Sequence, residues 1–151
     1  MPISLSIASG KGGVGKTTMA INLAIMQAKT SNCLLLDADM GMANAHILLG
    51  INPELTIKDF FDGSCSIEKV ISVGPENLMF MSGGSGLTEL LNIDKNKKLN
   101  FIRTFDQISS KIDNLIVDVS AGAEDSSLSL LSASDKILIV LVQTLSPQKQ
   151  H

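Results

Sequence analysis

The stretch ASGKGGVGKTT, residues 8–18, contains four glycines and two lysines and overlaps the end of an apolar run, Ile3–Ala8. Two phosphate-binding patterns fit it. G-x-G-x-x-G, starting at Gly10, is a dinucleotide fingerprint, and G-x-x-x-x-G-K-T, starting at the same glycine, is a loop that binds nucleoside triphosphates. Both patterns require a strand, a glycine-rich turn and a helix. The stretch therefore predicts an α/β fold, but both ligands remain possible at this point.

Lys16 and Thr17 favour the triphosphate loop, because a dinucleotide fingerprint needs neither residue. In a triphosphate loop the lysine reaches the β- and γ-phosphates and the hydroxyl holds Mg²⁺. Asp37 stands about 20 residues further on, where either pattern can use an acid. Asp118 follows the apolar run Leu115–Val117 and supplies the aspartate that triphosphatases place near Mg²⁺. Dinucleotide binding remains the weaker alternative.

Five apolar runs predict buried strands: Ile3–Ala8, Cys33–Leu36, Leu78–Met81, Leu115–Val117 and Ile137–Val142. Continuous apolarity is typical of parallel strands covered on both faces. Helices are predicted at Thr17–Lys29, Lys95–Lys111 and Ser126–Leu131. The alternation predicts a doubly wound, mostly parallel α/β sheet with helices on both faces, of the P-loop NTPase type.

Composition predicts a single domain over residues 1–151, with 44% hydrophobic residues and a mean hydropathy of +0.28. The net charge of −3 gives no electrostatic reason to expect nucleic-acid binding. Cys33 and Cys65 lack metal-ligand spacing. Without a signal peptide or an apolar run of about 18 residues, a cytoplasmic location is expected. No covering helix follows Ile137–Val142, so the domain is expected to be C-terminally incomplete.

Asp37 and Asp39 follow the second predicted strand, at the edge where ligands of open α/β sheets bind. Acids in such a turn can also be simply solvated. With a triphosphate in the neighbouring loop, we expect one carboxylate to order the water shell of the metal. The other would orient the attacking water.

The residues KGGVGKTT, 11–18, resemble the deviant Walker A motif of the MinD/ParA ATPases. Asp37-Ala38-Asp39 is similar to the first switch of that family, and Asp118 with Ala121-Gly122 to its Walker B and second switch. The resemblance covers essentially the whole chain. Within the family, the stretches at residues 34–50 and 81–86 are similar to the flagellar-number regulators called FlhG, also YlxH or FleN.

The resemblance implies that ATP and Mg²⁺ are the cofactors. The implied catalytic residues are Lys11, Lys16 and Asp39, and the implied magnesium residues are Thr17, Asp37 and Asp118. Lys11 would reach the phosphates of the partner copy across an ATP-bound homodimer. ATP would be bound by Gly10, Lys11, Gly12, Gly13, Val14, Gly15, Lys16, Thr17, Thr18 and Gly122.

The resemblance further implies a dimerisation-dependent ATPase switch that regulates flagellar number and placement. Its partners would be a flagellar GTPase or switch or division proteins, and a C-terminal segment would let it cycle to the inner face of the cell membrane. A truncated, non-catalytic paralogue and a septum-site or partition ATPase remain alternatives. Val119-Ser120 departs from the family, which usually has Thr-Gly or Thr-Pro there.

Overall fold

The computed structural model describes residues 1–39, 44–83, 87, 96, 103, 106–122 and 124–143. The strands in these residues are β1 (Ile3–Ala8), β2 (Cys33–Ala38), β3 (Ser72–Val73), β4 (Met79–Ser82), β5 (Asn114–Val119) and β6 (Lys136–Ile139). They form one sheet in the order β3-β4-β2-β5-β1-β6. Neighbouring strands are parallel except β3 and β4, which are antiparallel. The predicted mostly parallel sheet is confirmed.

Helices with complete bounds are α1 (Lys16–Ala28), α2 (Ala45–Leu48), α3 (Ile57–Phe61), α4 (Ile67–Val70) and α5 (Asp125–Ser132). The predicted first and last helices agree with α1 and α5 to within one residue at each end. The predicted helix Lys95–Lys111 lies largely outside the described residues, and within them helical structure ends at residue 109. None of the described helices is long and apolar enough to span a lipid bilayer.

The central strand β2 divides the core into two layers, because successive side chains of a strand point to opposite faces. Leu34 and Leu36 pack with apolar residues of α3 and α4. Cys33 and Leu35 pack on the other face with residues of α1 and α2. All six residues of β2 are buried. The fold is therefore doubly wound, as predicted from the sequence.

Two strands extend beyond their predicted ends and include functional candidates. Asp37 lies inside β2 and Asp118 lies inside β5, where they are direct neighbours in the parallel register. By the alternation of side chains, Asp37 shares the α1 face with Leu35, and Asp118 shares it with Ile116. The sheet thus places both carboxylates side by side, under the start of α1.

The strand predicted at Ile137–Val142 is present but shorter, and the sequence analysis expected it to lack a covering helix. The strand ends at Ile139, and Ile137 and Ile139 are 50% and 62% exposed. β6 is an edge strand that pairs only with β1 among the described strands, and Leu138 packs against the core on one face while Ile137 and Ile139 point to the opposite face. An aliphatic sequence indicates strand propensity, but whether its faces are covered depends on what lies next to it.

Candidate functional site

The glycine-rich loop turns directly into α1. Gly13 and Gly15 have φ angles of 74° and 88°, in the left-handed region that residues with a Cβ rarely adopt. The N–H of Met19 donates to the carbonyl of Gly15 at 3.0 Å, which closes the first turn of the helix. The remaining N–H groups at this helix start and the positive end of its dipole favour an anion.

An open cleft of about 710 Å³ lies at the carboxyl ends of β1, β2 and β5. Ser9, Asp39 and Ser120, each following one of these strands, line it together with the loop and the start of α1. The lining is completed by Gly12, Gly13, Gly15, Lys16, Thr17, Thr18, Asn44, Leu48, Ala121 and Glu124. A cleft of this size at this edge of the sheet suits a mononucleotide.

Lys16 is only 5% exposed, although its side chain is charged. Its ammonium group pairs with Asp118 and lies 3.7 Å from Oδ2 of Asp39. Within the part of the chain that the structure describes, it is the only lysine or arginine that lines the cleft. A buried cation is stable only when paired, so the two carboxylates account for its position at the base of the loop.

Thr17 and Asp37 complete a compact polar group around Asp118. The hydroxyl of Thr17 donates to Oδ2 of Asp118 at 2.8 Å. The N–H of Asp39 donates to Oδ1 of Asp37 at 3.1 Å, whereas Oδ2 of Asp37 is buried without a hydrogen-bond partner. A buried carboxylate oxygen without a partner marks a place where a cation or its water shell fits.

Burial raises the pKa of Asp37 to about 7, and the negative charges of Asp118 and Asp39 contribute to the increase. The N–H of Asp39 and the charge of Lys16 act in the opposite direction. Desolvation dominates because a buried carboxylate loses its hydration. A bound divalent cation would favour the charged form.

The donor set fits magnesium held jointly with a nucleotide. No three His, Cys, Asp or Glu side chains in the described residues form a group that could hold a metal ion by themselves. Mg²⁺ ordinarily keeps several waters and takes one or two protein ligands together with phosphate oxygens. A threonine hydroxyl and two aspartates next to a phosphate loop are compatible with that arrangement.

Several predicted site residues do not line the cleft. Lys11 is exposed, and its carbonyl accepts a hydrogen bond from the hydroxyl of Ser9 at 3.0 Å. Gly122 is exposed, and its N–H donates to the carbonyl of Ser9 at 3.0 Å. A contact of this N–H with a γ-phosphate would require that hydrogen bond to break. Gly10, Val14, Asp37 and Asp118 are likewise absent from the lining.

The cleft includes residues that the sequence analysis did not assign to the site, notably Asn44, Leu48, Ser120 and Glu124. Ser120 could have been found, because it follows the strand that carries Asp118 and ends at the same edge. Asn44 and Leu48 lie at the start and end of the short helix α2, whose position no periodic pattern indicates.

A family model described as an AAA domain, AAA_31, matches residues 3–147. The chain belongs to this family, as a member of the MinD/ParA group. Its P-loop, its doubly wound sheet and its relatives agree with that assignment.

Two curated relatives are, by their names, an antiactivator and a flagellum site-determining protein. The antiactivator FleN of Pseudomonas aeruginosa is 36% identical over 138 residues, which cover 91% of this chain and 49% of FleN. The flagellum site-determining protein YlxH of Helicobacter pylori is 31% identical over 137 residues, which cover 90% of this chain and 47% of YlxH. The chain thus spans about half the length of these relatives.

The fold is also similar to that of the septum site-determining protein MinD of Pyrococcus horikoshii, which was solved in complex with Mg-ADP. The TM-score is 0.72 with 26% sequence identity, over 93% of this chain and 58% of that protein. The resemblance to the MinD/ParA family is therefore confirmed in both sequence and fold.

Proposed function

We propose that this chain binds ATP with Mg²⁺ and acts as a dimerisation-dependent ATPase switch that regulates flagellar number or placement. One observation carries the nucleotide part of the proposal. Lys16 is buried and paired with Asp118 and Asp39 at the base of a glycine-rich loop, directly beside a helix N-terminus. This combination of cation, backbone N–H groups and acids is what a magnesium-bound triphosphate requires.

Different residues of the chain would bind the phosphates and the metal. Lys16 would exchange its carboxylate partners for the β- and γ-phosphate oxygens, and Thr18 would contact the α-phosphate. Thr17, Asp37 and Asp118 would hold the metal and its waters. These residues would hold Mg²⁺, which would supply positive charge to neutralise the phosphates. The Mg-ADP complex of the MinD relative supports ATP and Mg²⁺ as the cofactors.

Hydrolysis would depend on two residues with different surroundings. Asp39 lines the cleft and would accept a hydrogen bond from the attacking water, which orients it toward the γ-phosphate. Lys11 is exposed within the glycine-rich loop, and its side chain would enter the cleft of a partner copy. A cation supplied by the partner stabilises the charge that develops as phosphate leaves, so turnover would require the ATP-bound homodimer.

The flagellar role rests on the name of YlxH, a flagellum site-determining protein, and on the sequence resemblance to the flagellar-number regulators, supported by the match to about half of YlxH. We propose a cytoplasmic protein that cycles to the inner face of the cell membrane. Its partners would be flagellar assembly or switch proteins, among them a GTPase. The similarity to a septum site-determining protein supports division-site placement as the second candidate. Complementation distinguishes them: flagellar number is restored in a strain lacking its own regulator, or minicell formation is suppressed in a strain lacking MinD.

The test of ATPase function is binding and turnover measured on the same preparations. The wild-type chain should bind Mg-ATP and release phosphate. Asp39→Ala should bind Mg-ATP with a similar Kd and release phosphate about 100-fold more slowly or less. Asp62→Ala, which changes an exposed aspartate at the end of α3, is the matched control and should behave as wild type. Binding without turnover in the wild type would instead support a non-catalytic paralogue.

A further inference from the structure

Ser120 connects the ends of the two strands that carry the carboxylates of the site. It directly follows β5, is half-buried and lines the cleft. Its hydroxyl donates to the carbonyl of Ala38, the last residue of β2, at 3.1 Å. The same hydroxyl lies 3.4 Å from Oδ1 of Asp39. One side chain therefore contacts both the strand end and the carboxylate that follows it.

The two oxygens of the Asp39 carboxylate contact different groups. Oδ2 is 3.7 Å from the ammonium of Lys16, and Oδ1 is near the hydroxyl of Ser120. Under the proposed function the ammonium of Lys16 binds phosphate oxygens, which weakens its ion pair with Asp39. The Ser120 hydroxyl has a single proton, and a carboxylate is a stronger acceptor than a carbonyl. The hydroxyl would therefore shift toward Asp39 when Lys16 is engaged.

The backbone around Ser120 is held independently of this hydroxyl. The carbonyl of Ser120 accepts a hydrogen bond from the hydroxyl of Ser127, a buried residue of α5, at 3.4 Å. Two residues further on, the N–H of Gly122 donates to the carbonyl of Ser9 at 3.0 Å. Removing the Ser120 hydroxyl is thus expected to leave the loop in place while it removes one hydrogen bond to the carbonyl of Ala38 and one contact with Asp39.

We propose that Ser120 is a positioning residue for hydrolysis: its hydroxyl holds the Asp39 carboxylate in the orientation that receives the attacking water. The inference rests on the proposed ATPase function and adds a residue to it. The resemblance places Gly or Pro at this position in the family, and neither has a hydroxyl. In this chain the hydroxyl is supplied by Ser120 of the pair Val119-Ser120.

The experiment compares Ser120→Ala, Ser120→Thr and the control Ser129→Ala with wild type. Ser129 is a helix serine whose hydroxyl donates to the carbonyl of Asp125 at 2.9 Å, away from the cleft residues. Ser120→Ala should lower kcat for phosphate release about tenfold, while the Kd for Mg-ATP stays within about twofold. Ser120→Thr, which keeps the hydroxyl, should restore most of kcat. The control should leave kcat and Kd unchanged.

A double variant separates positioning from general damage. If Ser120 acts through Asp39, then adding Ser120→Ala to Asp39→Ala should lower kcat no further, because the acceptor of its hydrogen bond is already removed. Additive losses in the double variant would overturn the proposal. So would a Ser120→Ala variant with wild-type kcat, or one whose Kd rises while its Tm falls and which threonine does not rescue.

The two proposals fail in different ways. If the wild-type chain neither binds nor hydrolyses Mg-ATP, the proposed function is refuted and the role of Ser120 with it. If the wild type hydrolyses Mg-ATP and loses activity in Asp39→Ala, but Ser120→Ala has wild-type kcat, only the inference on Ser120 is refuted.

Discussion

The two lysines of one glycine-rich loop, Lys11 and Lys16, have opposite environments. Lys16 is 5% exposed and paired with Asp118 and Asp39, whereas Lys11 is exposed and lies outside the cleft lining. Both residues are lysines and lie five positions apart, so residue type alone does not explain the difference in their exposure and pairing. Lys16 begins a helix that packs on the sheet above two buried carboxylates, and Lys11 precedes the turn. The comparison shows that Lys16 is part of the cleft of its own chain and that Lys11 is exposed to solvent, which is the basis for the different roles proposed for them.

The largest expected effect is that of Lys16→Ala. Removing the ammonium breaks the ion pairs of Lys16 with Asp118 and Asp39 and removes the only lysine or arginine among the described residues that line the cleft. We expect the Kd for Mg-ATP, measured by calorimetry, to rise about 100-fold or more. Lys29→Ala, at the exposed C-terminal end of α1, is the control and should bind as wild type. Wild-type affinity in Lys16→Ala would remove the distinction between the two lysines.

Lys11→Ala should affect association and turnover. Mass measured by light scattering should show a nucleotide-dependent dimer for wild type and a monomer for the variant, because the cation that bridges the copies is missing. Phosphate release should fall about 1,000-fold, the lower end of the range for a cation supplied by a partner. The exposed Lys58 provides the control, Lys58→Ala. A normal dimer in Lys11→Ala would contradict the proposed role of this lysine.

A smaller effect is expected from the carboxylate of Asp37 on the pH dependence of stability. The pKa of Asp37 is raised to about 7 in the folded protein, above the ordinary value of about 4 for the unfolded chain. Between these values the folded state binds the proton more tightly. Without nucleotide or Mg²⁺ in the buffer, the free energy of unfolding should therefore decrease as pH rises from about 4 to about 7, by up to about 4 kcal/mol.

The measurement is thermal unfolding at pH 5 and pH 8. Asp37→Asn cannot ionise, so its Tm should decrease less than that of wild type over this interval. Asp62→Asn changes an exposed aspartate and should retain the full wild-type decrease. Equal decreases in Asp37→Asn and wild type would show that Asp37 does not titrate in this range.

The sequence predicted the strand, loop and helix around Lys16 with little error because local features determine them. The predicted bounds of β1 are those observed, and α1 begins one residue earlier than predicted. An apolar run, left-handed glycines and a helix-forming segment act within a few residues of one another. Asp118 lies 102 residues from Lys16, so only the known pattern of triphosphatases could predict that the two are close together.

Most of what the sequence did not predict depends on distant neighbours. β6 has the composition of a buried strand, but its exposure depends on what lies beside it. Ser120 meets Asp39 across 81 residues, because β2 and β5 are neighbours in the sheet. The short helix α3 was missed although Thr56 and Asp59 form a capping box, a local signal with physical meaning. Its five residues are too few for a periodic apolar pattern.

The central claim is that only one of the two loop lysines belongs to the nucleotide site of its own chain. The most direct test is an equilibrium titration of wild type, Lys11→Ala and Lys16→Ala with a non-hydrolysable ATP analogue and Mg²⁺, at protein concentrations below the dimer dissociation constant. The account predicts wild-type Kd for Lys11→Ala and a rise of about 100-fold or more for Lys16→Ala. Equal losses of affinity in the two variants would contradict it.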